Sequence, residues 1–209
     1  LKNMLLVLTG VTAISVALLA FVNELTKGPI AEANVKTLNE ALKQVLPAFN
    51  NNPVAESDTI FSEKGGKKTV DFIIYPAKEG DKWVGSAVQA TSMGFGGELK
   101  LLVGFDSEGK IYNYSLLSHA ETPRLGSKAA DWFKEGNKGS IKGMNPGETP
   151  LTVSKDGGQI DAITASTITS RAFLKAVNAA YSAYNGSGDA TTGASQRAVV
   201  EPADAISAN

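Results

Sequence analysis

The residues best suited to chemistry lie between Asp161 and Ser170, where Thr164, Ser166, Thr167, Thr169 and Ser170 crowd together with the small Ala162 and Ala165 between them. The segment sits where a strand-like run gives way to a helical one, and hydroxyls have two uses at such a junction. A Ser or Thr there caps the helix, bonding backbone N–H groups that have no partner inside the first turn. The same free N–H groups and the positive end of the helix dipole also attract an anion, so a phosphoryl group can be held without a basic side chain. Small neighbours such as Ala165 and Ser166 would leave the Thr167 hydroxyl approachable. On this segment alone both uses stay open.

A second segment, His119-Ala-Glu-Thr-Pro-Arg-Leu-Gly126, follows an apolar strand-like run. His119 would end the strand, and Pro123 restricts Thr122 to extended geometry, so the stretch is at least a rigid connection. A third, Met93-Gly-Phe-Gly-Gly-Glu98, has the glycine content of a hairpin loop.

The elements that must position these segments follow from patterning. Leu99 to Phe105 and Ile111 to Leu117 flank the polar loop Asp106-Ser-Glu-Gly-Lys110, which predicts an antiparallel hairpin. Thr69 to Tyr75 and Trp83 to Thr91, around Glu79-Gly80-Asp81, predict another. Helices are expected from Ser127 to about Glu135 and from about Thr167 to Tyr184, and strands at Leu151 to Ser154 and Gln159 to Thr164 around the turn Lys155-Asp156-Gly157-Gly158. At the other end, Met4 to Val22 carries no charge and at about 1.5 Å per residue nearly matches the ~30 Å of a bilayer's hydrocarbon. Its length, and the absence of a small-x-small site after Ala20, favour an uncleaved transmembrane anchor over a signal peptide. Gly28-Pro29 then punctuates the chain, and Ile30, Ala33, Leu38, Ala41, Leu42 and Val45 recur at helical spacing up to Pro47.

The organisation expected is therefore an anchor over 1–24, an amphipathic juxtamembrane helix over 25–49, a domain over 50–184 and a flexible tail over 185–209 rich in Gly, Ser and Ala. The fold class expected is α+β, an antiparallel sheet with helices packed toward one face. Composition narrows the chemistry. Lys and Arg number 20 against 21 Asp and Glu, a net charge of −1 that gives no basic surface for nucleic acid. There is no Cys and one His, which removes thiolate catalysis, cysteine-bound clusters and His-rich metal sites. Redox chemistry would have to come from an organic cofactor.

In this order along the chain, an N-terminal anchor, Gly-Phe-Gly-Gly, His-x-Glu-Thr-Pro-x-Leu-Gly and Asp161-x-x-Thr164-Ala-Ser-Thr167-x-Thr169 resemble the FMN-binding domain shared by the G subunit of the Rnf electron transport complex and the C subunit of the sodium-translocating NADH:quinone oxidoreductase. Chain length and the early Pro29-Ile30 helix favour the Rnf branch. In that family the pattern Asp-x-x-Ser/Thr-Gly-Ala-Thr/Ser-x-Thr/Ser carries FMN as a phosphoester, and the resemblance implies Thr167 as the attachment residue, with Ser166 a rival. It further implies that Glu121, Thr122, Leu125 and Gly126 flank the flavin ring and that Thr164, Ser166 and Thr169 complete the site. The chain departs from the family patterns at Ala165-Ser166, in place of Gly-Ala, and at Arg124, in place of a glycine, and a cation at Arg124 could favour an anionic reduced flavin.

What the resemblance implies for function is a single-pass protein of the cell inner membrane, its soluble domain on the periplasmic side. It would relay electrons within an ion-translocating oxidoreductase complex acting between ferredoxin and NAD, with no independent turnover. Partners would be the other membrane and redox subunits, membrane lipid, and a flavin transferase that uses FAD. The quinone-reductase branch or another extracytoplasmic flavin carrier is the alternative within the class, and an anchored scaffold without flavin the alternative outside it.

Overall fold

The computed structural model describes residues 2–64 and 67–188. The chain forms two compact units, the first ending at Glu40 and the second beginning at Ala41. The first unit belongs to helix α1 (Lys2–Val45), whose apolar side chains from Met4 to Val22 are exposed all round and which is long and apolar enough to cross a membrane. The break expected at Gly28-Pro29 does not occur, and α1 is a single helix with Pro29 inside it. A proline deletes one N–H bond and strains one turn, at a cost of about 3 kcal/mol, without obliging the helix to stop.

The second unit is built on a five-stranded antiparallel meander in simple order: β1 (Asp58–Lys64), β2 (Lys67–Glu79), β3 (Lys82–Met93), β4 (Glu98–Asp106) and β5 (Ile111–His119). Both expected hairpins are present. β1 was not foreseen, and its mixed sequence Asp-Thr-Ile-Phe-Ser-Glu-Lys explains why: an edge strand with one neighbour needs little apolar patterning. β4 is buried on both faces from Leu101 to Phe105. Leu101, Val103 and Phe105 join the main core, while Gly104 points the other way and takes the Val45 carbonyl so closely that a Cβ there would collide with it. The last turn of α1 thus buries Ala41, Leu42 and Val45, so helices cover both faces of the sheet rather than one.

The main core lies under α3 (Thr167–Gly188), which buries Phe173, Leu174, Ala176, Val177, Ala180 and Ala183 at helical spacing. Phe173 stacks on Phe133 with ring centroids 4.2 Å apart and meets Tyr114 edge-on at 4.8 Å. Between sheet and α3 the chain is mostly irregular. The helix expected from Ser127 is only a 3-10 turn (Gly126–Lys128) and a single α-turn, α2 (Ala129–Trp132). Tyr114 ties that turn down, its hydroxyl donating to Ala129 O at 2.8 Å and accepting from Phe133 N at 3.2 Å. The strands expected around Lys155-Asp156 reduce to one parallel bridge, Val153 with Ile160, enclosing a 3-10 turn (Ser154–Asp156). The expected flexible tail lies outside the described residues from 189 onward, and α3 continues through Asn185 to Gly188.

Candidate functional site

Register brings the three sequence segments together. Met93 pairs with Glu98 across the β3–β4 hairpin, and Leu99 pairs with His119, so the Gly94–Gly97 loop and the chain leaving β5 emerge at the same sheet end. There the carboxylate of Glu121 is buried, 6% exposed. One oxygen accepts from the Gly96 N–H at 3.2 Å, the other from the Thr169 hydroxyl at 2.9 Å. A Cβ on Gly94 or on Gly126 would collide with that carboxylate, so these positions must be glycine for Glu121 to sit where it does. All three segments meet on one side chain.

Around it the Glu121–Gly126 loop closes tightly. The Thr122 carbonyl accepts from Leu125 N at 3.2 Å and Ser127 N at 3.3 Å, and Arg124 N donates to Ser127 Oγ at 2.9 Å. Arg124 occupies the left-handed region with φ 63°. Ala165, before α3, does the same with φ 60°. These are the two positions where the resembled motifs carry glycine, and this chain keeps the backbone shape with side chains in place, at a cost of about 1–2 kcal/mol each.

The hydroxyl cluster divides by burial. Thr169 and Ser170 are fully buried, and Ser166 is 8% exposed. Ser170 Oγ accepts from Ile163 N and donates to Ser166 O, both at 3.0 Å, which is the capping use of such hydroxyls. Thr164 is exposed and Thr167, first residue of α3, is half-buried. The Thr167 oxygen accepts from Lys155 Nζ at 3.3 Å.

Of the residues singled out in the sequence, Glu121, Gly126 and Thr169 are thus in direct contact or one atom short of it, with Thr164, Ser166 and Thr167 on the adjoining turn. Thr122 and Leu125 stay on the loop surface, Leu125 41% exposed. Exposed apolar side chains also stand on the other two segments, Phe95 in the glycine loop and Ile168 in the first turn of α3. An aromatic ring system and a phosphoryl ester would find here an accessible hydroxyl, apolar side chains and a backbone shaped for close approach, so the residues present fit FMN.

Sequence reasoning placed a turn at Lys155-Asp156-Gly157-Gly158 but missed that the residues Ser154–Asp156 reach the site. Ser154 Oγ lies 3.3 Å from Asp161 Oδ1, and Asp156 takes Arg171 in a two-bond fork at 2.6 and 2.7 Å. The guanidinium holds the Asp156 carboxyl below its usual range, and the carboxylate raises Arg171 in return. The one signal available was Gly157-Gly158: Gly157 is left-handed at φ 84° and a Cβ on Gly158 would strike the Thr152 carbonyl, marks of a tightly folded turn. Trp132, whose indole N–H donates to Asp161 O at 2.7 Å, was also not foreseen.

The chain matches two family models, the FMN-binding domain over residues 94–182 and the RnfG N-terminal region over residues 6–45. It is 35% identical over 164 residues to the G subunit of the ion-translocating oxidoreductase complex of Stutzerimonas stutzeri, covering 74% of this chain and 68% of that one. With the corresponding Escherichia coli (strain K12) protein it shares 36% over 172 residues, 79% and 82% of the two chains. Similarity to the G subunit of the Na(+)-translocating ferredoxin:NAD(+) oxidoreductase complex of Acetobacterium woodii extends over 184 residues at 32%, 86% and 89% of the chains.

Proposed function

The chain belongs to the family of G subunits of ion-translocating oxidoreductase complexes, with that family's FMN-binding domain, and on that footing we propose that it carries FMN as a phosphoester on Thr167 and passes electrons within such a complex. The observation that carries the reading is the division of the hydroxyls. Thr169 and Ser170 are buried with their hydroxyls bonded and Ser166 is buried, whereas Thr167 presents its oxygen at the start of α3 beside the loop that Glu121 organises. Ser166, the rival acceptor, is closed off by its own burial.

Once bound, FMN supplies the redox chemistry, which no side chain of this chain could. The protein's own residues hold and shape. Glu121 fixes the glycine loop to α3, and Leu125, Phe95 and Ile168 offer apolar contact to the ring. Arg124, exposed and carried on the Glu121–Gly126 loop, would stabilise negative charge on a reduced flavin. α1 would serve as a membrane anchor, and by the family resemblance the domain would lie on the extracytoplasmic side, where a covalent tether would prevent loss of the cofactor. The ferredoxin and NAD couple in the Acetobacterium relative's name supports the same couple here. Other subunits of the complex and a flavin transferase using FAD would be its partners.

Intact mass and peptide mapping of the full chain made with a flavin transferase test this. FMN is expected on the peptide containing Thr167, and Thr167→Ala should remove it entirely. Flavin retained by that variant, or its absence from the parent chain, would refute the assignment.

A further inference from the structure

We propose that Lys155 is a positioning residue for flavin attachment, orienting the Thr167 hydroxyl and supplying the positive charge against which the phosphoryl group is received. This rests on the Thr167 reading above. Three consecutive residues of the 154–156 turn each touch the attachment segment: Ser154 meets Asp161, Lys155 meets Thr167, and Asp156 meets Arg171. Thr167 and Arg171 are one helical turn apart on the same face of α3, so the turn docks along that face at two points. The Arg171–Asp156 fork sets its position. Behind it, the Asn178 side chain bonds both N and O of Leu151 at 2.9 Å, fastening the preceding segment to α3.

The choice of partner is informative. Lys27, Lys78, Lys110, Lys134 and Lys142 each aim the ammonium at a carboxylate. Lys155 aims at a hydroxyl instead, and makes no ion pair among the described residues. A neutral oxygen is a weak partner for an ammonium, and a phosphodiester built on that oxygen is a strong one. In the attachment step the Thr167 O–H bond and the pyrophosphate P–O bond of the flavin dinucleotide break, and a bond forms between Oγ and phosphorus. The nucleoside monophosphate leaves with the electron pair of the broken P–O bond. The hydroxyl proton passes to a base of the transferase, because an ammonium has no lone pair to accept it.

The test uses the full chain in detergent with flavin transferase and FAD, following the initial rate of flavin incorporation by in-gel fluorescence and intact mass. Lys155→Ala should slow attachment by about tenfold, the size expected for losing one charged hydrogen bond. Lys155→Glu should slow it further, and Lys155→Arg should stay within about threefold of the parent. The melting temperature of the unmodified chain should be the same in all. Equal rates for the parent and Lys155→Ala would overturn the role of Lys155 and leave Thr167 standing. Arginine failing to rescue, or melting temperature falling in step with rate, would reduce Lys155 to a structural contact and overturn it too. A parent chain that takes no flavin would overturn the Thr167 reading itself.

Discussion

The inner and outer faces of the first turn of α3 use the same side chains to opposite ends. On the inner face Thr169 is 1% exposed and commits its hydroxyl to Glu121, as Ser170 commits its own to Ile163 and Ser166. On the outer face Thr167 keeps an approachable oxygen, with a lysine instead of a carboxylate beside it. A hydroxyl becomes structural when burial obliges it to find a partner, because a buried unpaired polar group costs about 1–3 kcal/mol. It stays available for chemistry when solvent can satisfy it.

That contrast can be broken at the inner face first. Gly126→Ala should have the largest effect on stability: the new methyl displaces the Glu121 carboxylate and with it the bonds to Gly96 and Thr169, for a loss of about 2–3 kcal/mol. Denaturant unfolding of the full chain, followed by emission of Trp132 beside Asp161, would measure it. Next comes the direct comparison of threonines. Thr169→Val should cost about 1–3 kcal/mol by stranding a buried carboxylate oxygen, whereas Thr167→Val should change stability by less than about 0.5 kcal/mol. Equal losses in the same unfolding experiment would erase the distinction between the faces.

The smallest change sharpens it. Ala165→Gly relieves a left-handed alanine and should raise stability by about 0.5–1 kcal/mol, the strain removed being partly offset by glycine's greater freedom in the unfolded chain. A small upward shift of the denaturation midpoint would register this. No gain would mean that the backbone at Ala165 is unstrained.

How much was legible follows the same physics. The β2–β3 and β4–β5 hairpins could be read because alternation and polar loops are local signals. β1 could not, since its pairing to β2 is its reason to be a strand. Gly28-Pro29 suggested a break that α1 does not make, and Val153 with Ile160 supplied one bridge where two strands were expected. At the site, the family resemblance pointed to Thr167, and to Glu121 as a ring contact. The structure adds that the Glu121 carboxylate bonds Gly96 and Thr169 and so joins three segments, which no local pattern shows.

By itself the sequence determined the inventory: an apolar helix of membrane length, an antiparallel α+β domain, no thiol to work with, and three short motifs in family order. These are properties of adjacent residues, where periodicity and composition act directly. Only the tertiary structure decided which hydroxyl is inside and which outside, that two non-glycine residues hold left-handed backbone, and that Lys155 faces Thr167. Those are set by packing between segments far apart in the chain, and burial, which turns a threonine into either a pin or an acceptor, exists only once that packing is made.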